Sequence, residues 1–168
     1  MALSLAEFNH LVSQYAVALY RLAYRLVGDP HEAEDVVQDV FRSAWKSRRR
    51  YESSRGARAW LTTILRRRVA DRWRKRPLPS TLVEAETLEI GVEPPHPTEQ
   101  QYSDEMQQAL DRLPAELRET LLLVVVGELT HQEAADVLGV PLGTVLSRVS
   151  RARQRLRENW LALQKRDL

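Results

Sequence analysis

"THQEAADVLGVPLGTVLSRVSRAR", residues 130–153, reads as a short helix, a tight turn and a longer basic helix. Thr130-His131-Gln132-Glu133 has the form of a capping box, in which a hydroxyl and a glutamate satisfy each other's backbone donors. Ala134 and Ala135 put small side chains where a second helix must cross closely, and Leu138 and Val140 are expected to supply core contacts. Gly139 suits the left-handed conformation that a tight inter-helix turn requires. Pro141 starts the next helix, and Val145 and Val149, four apart, turn inward. Thr144, Leu146, Ser147, Arg148, Arg151 and Arg155 are then left on the outward side. The order of these signals predicts a helix-turn-helix that binds DNA, its second helix in the major groove. Few of the outward residues can read a base: arginine and serine can, whereas Leu146 offers only apolar contact. Phosphate contacts alone give salt-dependent affinity without sequence choice, so such a unit needs a partner or a second reading surface.

Upstream, helical spacing continues. Ser4-Leu5-Ala6-Glu7 is another capping box, followed by Phe8, Leu11, Val12, Tyr15, Leu19, Leu22 and Leu26, with Gly28 as a stop. Asp29-Pro30 opens a second helix to about Arg50, apolar at Val36, Val37, Val40, Phe41, Ala44 and Trp45. A third, from about Ala57 to Lys75, is expected to bury Trp60, Leu61, Ile64 and Val69, with Trp73 equally balanced between core and surface. From Pro77 to Thr98 the periodicity ends and five of the eight prolines gather, which predicts an extended linker. Beyond it, Met106, Ala109, Leu110 and Leu113 share a face. Pro114 opens a helix running to Gly127, although Val124-Val125-Val126 favours a strand locally. The expected fold is all-α: two small helical domains joined by a Pro-rich linker, bounded at 1–76, 77–98 and 99–168.

A net charge of +2 conceals strong segregation. Residues 46–76 hold thirteen Lys or Arg against Glu52 and Asp71. Residues 77–116 hold nine acids against Arg112, and residues 142–157 hold five arginines and no acid. Two basic segments around an acidic one suggest two nucleic-acid-facing surfaces, with solvated helix faces as the plainer alternative. Arg58, Arg66, Arg67, Arg68, Arg72 and Arg74 interleave with Trp60 and Trp73, the mixture that holds single-stranded nucleic acid. On the second helix Glu32, Asp35, Gln38, Asp39 and Arg42 oppose the apolar stripe. That acidic stripe suits a basic protein partner, or again only water.

Other classes fit poorly. Without cysteine there are no disulfides or thiolate sites. His10, His31, His96 and His131 have no metal-ligand or triad-like spacing, and the six glycines form no phosphate loop, so neither enzyme activity nor a metal or cofactor is expected. The first residues carry no signal-peptide pattern and no run is long enough to span or insert into a membrane; a cytoplasmic location is the simplest expectation. A conventional helix-turn-helix regulator accounts for the C-terminal half but leaves the basic third helix unexplained.

With all segments in view the chain resembles the extracytoplasmic-function (ECF) class of bacterial RNA polymerase sigma factors, over nearly its whole length. "AEDVVQDVFRSAWKSRRRY" (33–51) resembles the core-polymerase-binding helix, and "ARAWLTTILRRRVADRWRKR" (57–76) the promoter-melting segment. "LPAELRETLLLVVVGELTHQEAADVLGVPLGTVLSRVSRARQRLRE" (113–158) resembles the C-terminal DNA-binding domain. The resemblance implies a factor that directs promoter-specific initiation. Asp35, Gln38, Asp39 and Arg42 would meet the basic coiled coil of the polymerase's largest subunit, and the polymerase flap would be a further contact. Arg58, Trp60, Arg66, Arg67, Arg72 and Trp73 would capture and open the −10 promoter element. Thr144, Leu146, Ser147, Arg148, Arg151 and Arg155 would contact the −35 element. It also implies control by an anti-sigma protein, with membrane anchorage of that protein left open. Two departures stand out: Arg67 where the family often has Asn, and Leu146 where it often has a basic residue.

Overall fold

A computed structural model describes residues 2–74 and 97–166, the side chains of 97–103 excepted. The expected linker lies outside the described residues, apart from its last two positions. The chain divides into two compact units, Met1–Val92 and Glu93–Leu168, and the described residues are helical with no strand.

In the first unit, α1 (Leu5–Val27), α2 (Pro30–Ser47) and α3 (Ala57–Arg74) pack on one another. Ser4 and Glu7 close the predicted capping box: the Glu7 amide donates to Ser4 Oγ at 3.3 Å, and the Ser4 amide to Glu7 Oε2 at 2.8 Å. Those hydrogen bonds from Ser4 hold the Glu7 carboxyl below its ordinary pKa. Gly28, at φ 77°, ends α1 in the left-handed conformation, and Asp29 caps α2 by accepting from the Glu32 amide at 2.9 Å. Leu22, Val36, Val37, Val40, Phe41, Leu61 and Leu65 are fully enclosed. Phe8 seals one end, edge-on to Phe41 at 6.3 Å and 5.0 Å from Trp45.

The buried stripe of α3 is Ala57, Leu61, Thr62, Ile64 and Leu65; no residue from Arg66 to Arg74 is buried. Trp60 and Val69, expected inside, are only half-buried. Trp60 flanks the stripe and tilts against Tyr51 at 4.8 Å instead. Trp73 is exposed, because the helix has by then passed the residues that could cover it.

The second unit contains α4 (Pro97–Asp111), α5 (Ala115–Val125), α6 (His131–Leu138) and α7 (Leu142–Gln164). α4 begins at Pro97, inside the predicted linker, a position that a missing amide and fixed φ make favourable for a first helical residue. α7 packs against α4, α5 and α6. The valine run is helical, not a strand: Val124 and Val125 end α5 and Val126 caps it, its amide donating to Leu122 O at 3.0 Å. Leu121, Leu122 and Leu123 in the preceding turn are buried, so burial overrides local propensity. Leu138 and Val140 are half-buried, whereas Leu129, just before α6, is buried, as are Ala134 and Ala135.

Gly127 and Gly143 differ in what they tolerate. A Cβ on Gly127 would lie 2.6 Å from the Leu123 carbonyl oxygen, whereas one on Gly143 would meet nothing within 4 Å. Gly127→Ala is therefore expected to lower unfolding stability by about 1–3 kcal/mol. Gly143→Ala, inside α7, should raise it by about 0.5–1 kcal/mol. Urea unfolding of the two variants checks both signs.

Candidate nucleic-acid interface

Thr130 caps α6 through a full capping box, its Oγ accepting from the Glu133 amide at 3.1 Å while its own amide donates to Glu133 Oε2 at 2.8 Å. Gly139, at φ 67°, turns the chain, and the Val140 amide returns to Ala135 O at 3.1 Å. Val145, Val149 and Ala152 are the buried face of α7, which packs on α6, whose buried residues are the small Ala134 and Ala135. These contacts set the helix rotation. Leu146 is 49% exposed, Arg151 and Arg155 are exposed, and Thr144 and Ser147 are half-buried. Arg148 is different: its side chain is 21% exposed and turns back to Glu116 of α5, Nη2 to Oε2 3.7 Å. Ser150, absent from the predicted set, is exposed with Gln154 one turn further on. Its signal was present in the one-turn spacing 143, 146/147, 150, 154, which places all five positions on one face.

In the first unit α2 presents Asp35, exposed, with Gln38, Asp39 and Arg42 half-buried. Asp39 and Arg42 pair along the helix at 3.4 Å, and Arg42 Nε is buried without a hydrogen-bond partner. Asp35 also pairs across to α3, with Arg72 Nη2 at 3.3 Å from its Oδ2. Two residues predicted to serve different partners are thus in direct contact.

The α3 set divides by position. Near the amino end, the Arg58 guanidinium lies 5.5 Å from the Tyr15 ring centroid, and Trp60 packs on Tyr51. Burial, with Tyr15 adding, pushes the Tyr51 hydroxyl above the ordinary phenol range. Near the carboxyl end, Arg67 and Trp73 are exposed, Trp73 by 58%, while Arg66 and Arg72 are partly covered. Asp71 draws Arg68 at 3.8 Å and Arg74 at 2.9 Å. The arrangement offers an indole face amid guanidinium groups, a surface on which bases can stack while phosphates are neutralised.

A helix-turn-helix in one unit and a basic, aromatic helix end in the other are features of a nucleic-acid-binding protein. Residues 11–77 match the Sigma-70 region 2 family, and residues 103–156 match Sigma-70, region 4. The chain is 36% identical over 165 residues to the ECF RNA polymerase sigma factor SigE of Mycolicibacterium smegmatis, covering 92% of this chain and 62% of that protein. It is 31% identical over 164 residues to the ECF RNA polymerase sigma factor SigW of Bacillus subtilis, covering 90% and 87%. Among solved structures it is similar to the sigma factor RpoE in complex with the anti-sigma factor NepR from Bartonella quintana. That likeness has a TM-score of 0.68 at 28% identity and covers 92% of this chain and 94% of that one. The chain belongs to the ECF RNA polymerase sigma factors, the subunits that bind core polymerase and direct promoter-specific initiation. No helix among its described residues is long and apolar enough to cross a membrane.

An exposed pair such as Asp35–Arg72 contributes about 0–1 kcal/mol. A double-mutant cycle with Asp35→Asn and Arg72→Gln should return a stability coupling in that range that shrinks as salt rises. A coupling above about 2 kcal/mol, indifferent to salt, would contradict it.

Proposed function

We propose that residues 1–76 bind core polymerase and the −10 element and that residues 99–168, with α4 reaching back to Pro97, bind the −35 element. Residues 77–98 are the connection. The observation that carries this is the coexistence, in one first unit, of an outward acidic face on α2 and an exposed basic-aromatic end on α3.

Asp35, Gln38, Asp39 and Arg42 meet the basic coiled coil of the polymerase's largest subunit, and the second unit meets the flap. Opposite charges there steer docking and fix its register. Arg58, Trp60, Arg66, Arg67, Arg72 and Trp73 hold the opened −10 strand. Exposed Trp73 and Arg67 suit direct contact with it, while Arg58 and Trp60 support the surface from their packing on Tyr15 and Tyr51. Thr144, Leu146, Ser147, Arg151 and Arg155 contact the −35 duplex. Arg148 joins them by exchanging Glu116, to which it is paired at 3.7 Å on the flank of the helix, for a phosphate. An anti-sigma protein is proposed as the regulator, supported by the similar RpoE–NepR complex.

Core polymerase reconstituted with this protein is expected to give specific run-off transcripts from a limited promoter set, while the protein alone gives little shift of duplex promoter DNA. Tight, sequence-specific duplex binding without polymerase would instead favour a conventional helix-turn-helix regulator. Charge reversal at Asp35 and Asp39 should lower core affinity in a pull-down with the circular dichroism spectrum unchanged; undiminished capture would remove these residues from the polymerase contact. Arg151→Ala should cost about 1–3 kcal/mol of −35-dependent binding if the guanidinium reads a base. An equal loss on scrambled −35 DNA would make Arg151 a phosphate contact.

A further inference from the structure

We propose that Leu146 is a specificity-determining residue of the −35 contact and selects a thymine through its C5 methyl group. The proposal rests on the assignment of α7 to the −35 duplex.

Leu146 lies in the amino-terminal half of the second helix of a helix-turn-helix, the part that approaches base edges. It is 49% exposed, with Leu142, one turn earlier, 40% exposed. No larger side chain on its own face covers it. Gly143 is three residues before and Ser150 four after, and Ser147 adjoins it. At Gly143 the space a Cβ would occupy is open, so the backbone can approach the groove there without a side chain intervening. The result is a narrow apolar strip between small polar groups.

The major groove offers one apolar group, the thymine methyl, and an isobutyl side chain has no donor or acceptor for any other base edge. A protein-binding patch would need apolar surface of several hundred Å², far beyond two partly exposed leucines. The charge around the strip also favours DNA: Arg151, Arg153, Arg155 and Arg157 are exposed further along the same helix, without an intervening acid. A polyanion is therefore the occupant this face fits. Burying one methyl against Leu146 should change occupancy about fourfold.

Deoxyuridine provides the test, because it keeps thymine's pairing and O4 acceptor and lacks only the methyl. The reconstituted holoenzyme first selects its −35 sequence from duplex promoters randomised in that region. Each selected thymine, on either strand, is then replaced by deoxyuridine and initiation is measured by run-off transcription. One thymine, or two adjacent ones, should show an initiation loss of about three- to sixfold with the wild-type protein. With Leu146→Ala, whose fold is checked by circular dichroism, the loss at that position should disappear. Overturning results are a selected element without thymine, indifference of the wild type to every methyl, or a methyl effect that persists in Leu146→Ala. A Leu146→Ala defect equal on all templates and accompanied by weaker core capture would place the side chain against protein, and overturns the proposal equally. If scrambling the whole −35 segment leaves wild-type initiation unchanged, the −35 assignment itself fails, and this proposal with it.

Discussion

The rotation of α7 about its own axis controls what this protein can present to a DNA groove. Successive helical residues are about 100° apart, so a shift of one position would exchange the groove-facing set for another. Val145, Val149 and Ala152 oppose that shift because all three are buried, and Ala134 and Ala135 are buried on the helix that packs beside them. The left-handed turn at Gly139 then fixes how α7 leaves α6. Packing energy in this unit therefore has a chemical consequence on the opposite side of the helix. It turns Leu146 and Ser150 outward and Arg148 to the flank, where Glu116 can hold it.

The first unit meets a different demand, because a helix dense in arginine cannot be buried along its full length. α3 resolves this by division. Leu61, Thr62, Ile64 and Leu65 anchor the first half, and the second half has no buried residue. Most guanidinium groups there stay at the surface, paired at modest cost with Asp71 and Asp35, while Arg68 Nε is buried without a hydrogen-bond partner. Such exposed pairs are weak, and weakness suits the proposed exchange of carboxylate for phosphate. Asp35 touching Arg72 also places the acidic face of α2 beside the basic end of α3, so a partner engaging one face alters the charge seen by the other.

Helix starts and stops were legible because their signals are local. The boxes Ser4–Glu7 and Thr130–Glu133, and the left-handed glycines Gly28 and Gly139, need only neighbouring residues to be read, and each forms as expected. What was not legible depends on distant partners. Arg148 is drawn aside by Glu116, thirty-two positions away in the chain, and no periodicity announces that pair. Trp60 sits at helical spacing suited to a core, yet the space beside it belongs to Tyr51 in the preceding loop. Ser150 carries no charge and still lies exposed on the same face as Leu146.

A groove-facing set this poor in base readers has a physical logic in a two-surface protein. On the proposed reading the exposed arginines of α7 bind phosphate, with an affinity that falls steeply with salt and distinguishes sequences little. A single unit so equipped would occupy many sites briefly. When a second surface on the same chain engages DNA, the next contact becomes effectively intramolecular and the two modest affinities multiply. Each surface can then contribute a small discrimination and still leave a useful product. A methyl contact at Leu146 that distinguishes its base only about fourfold is weak by itself, but it multiplies every other preference the protein has. Replacing it by a basic side chain would add affinity for many sequences through the phosphates as well as through bases. On this reasoning an apolar residue sharpens selection at a position where a donor would mainly strengthen binding.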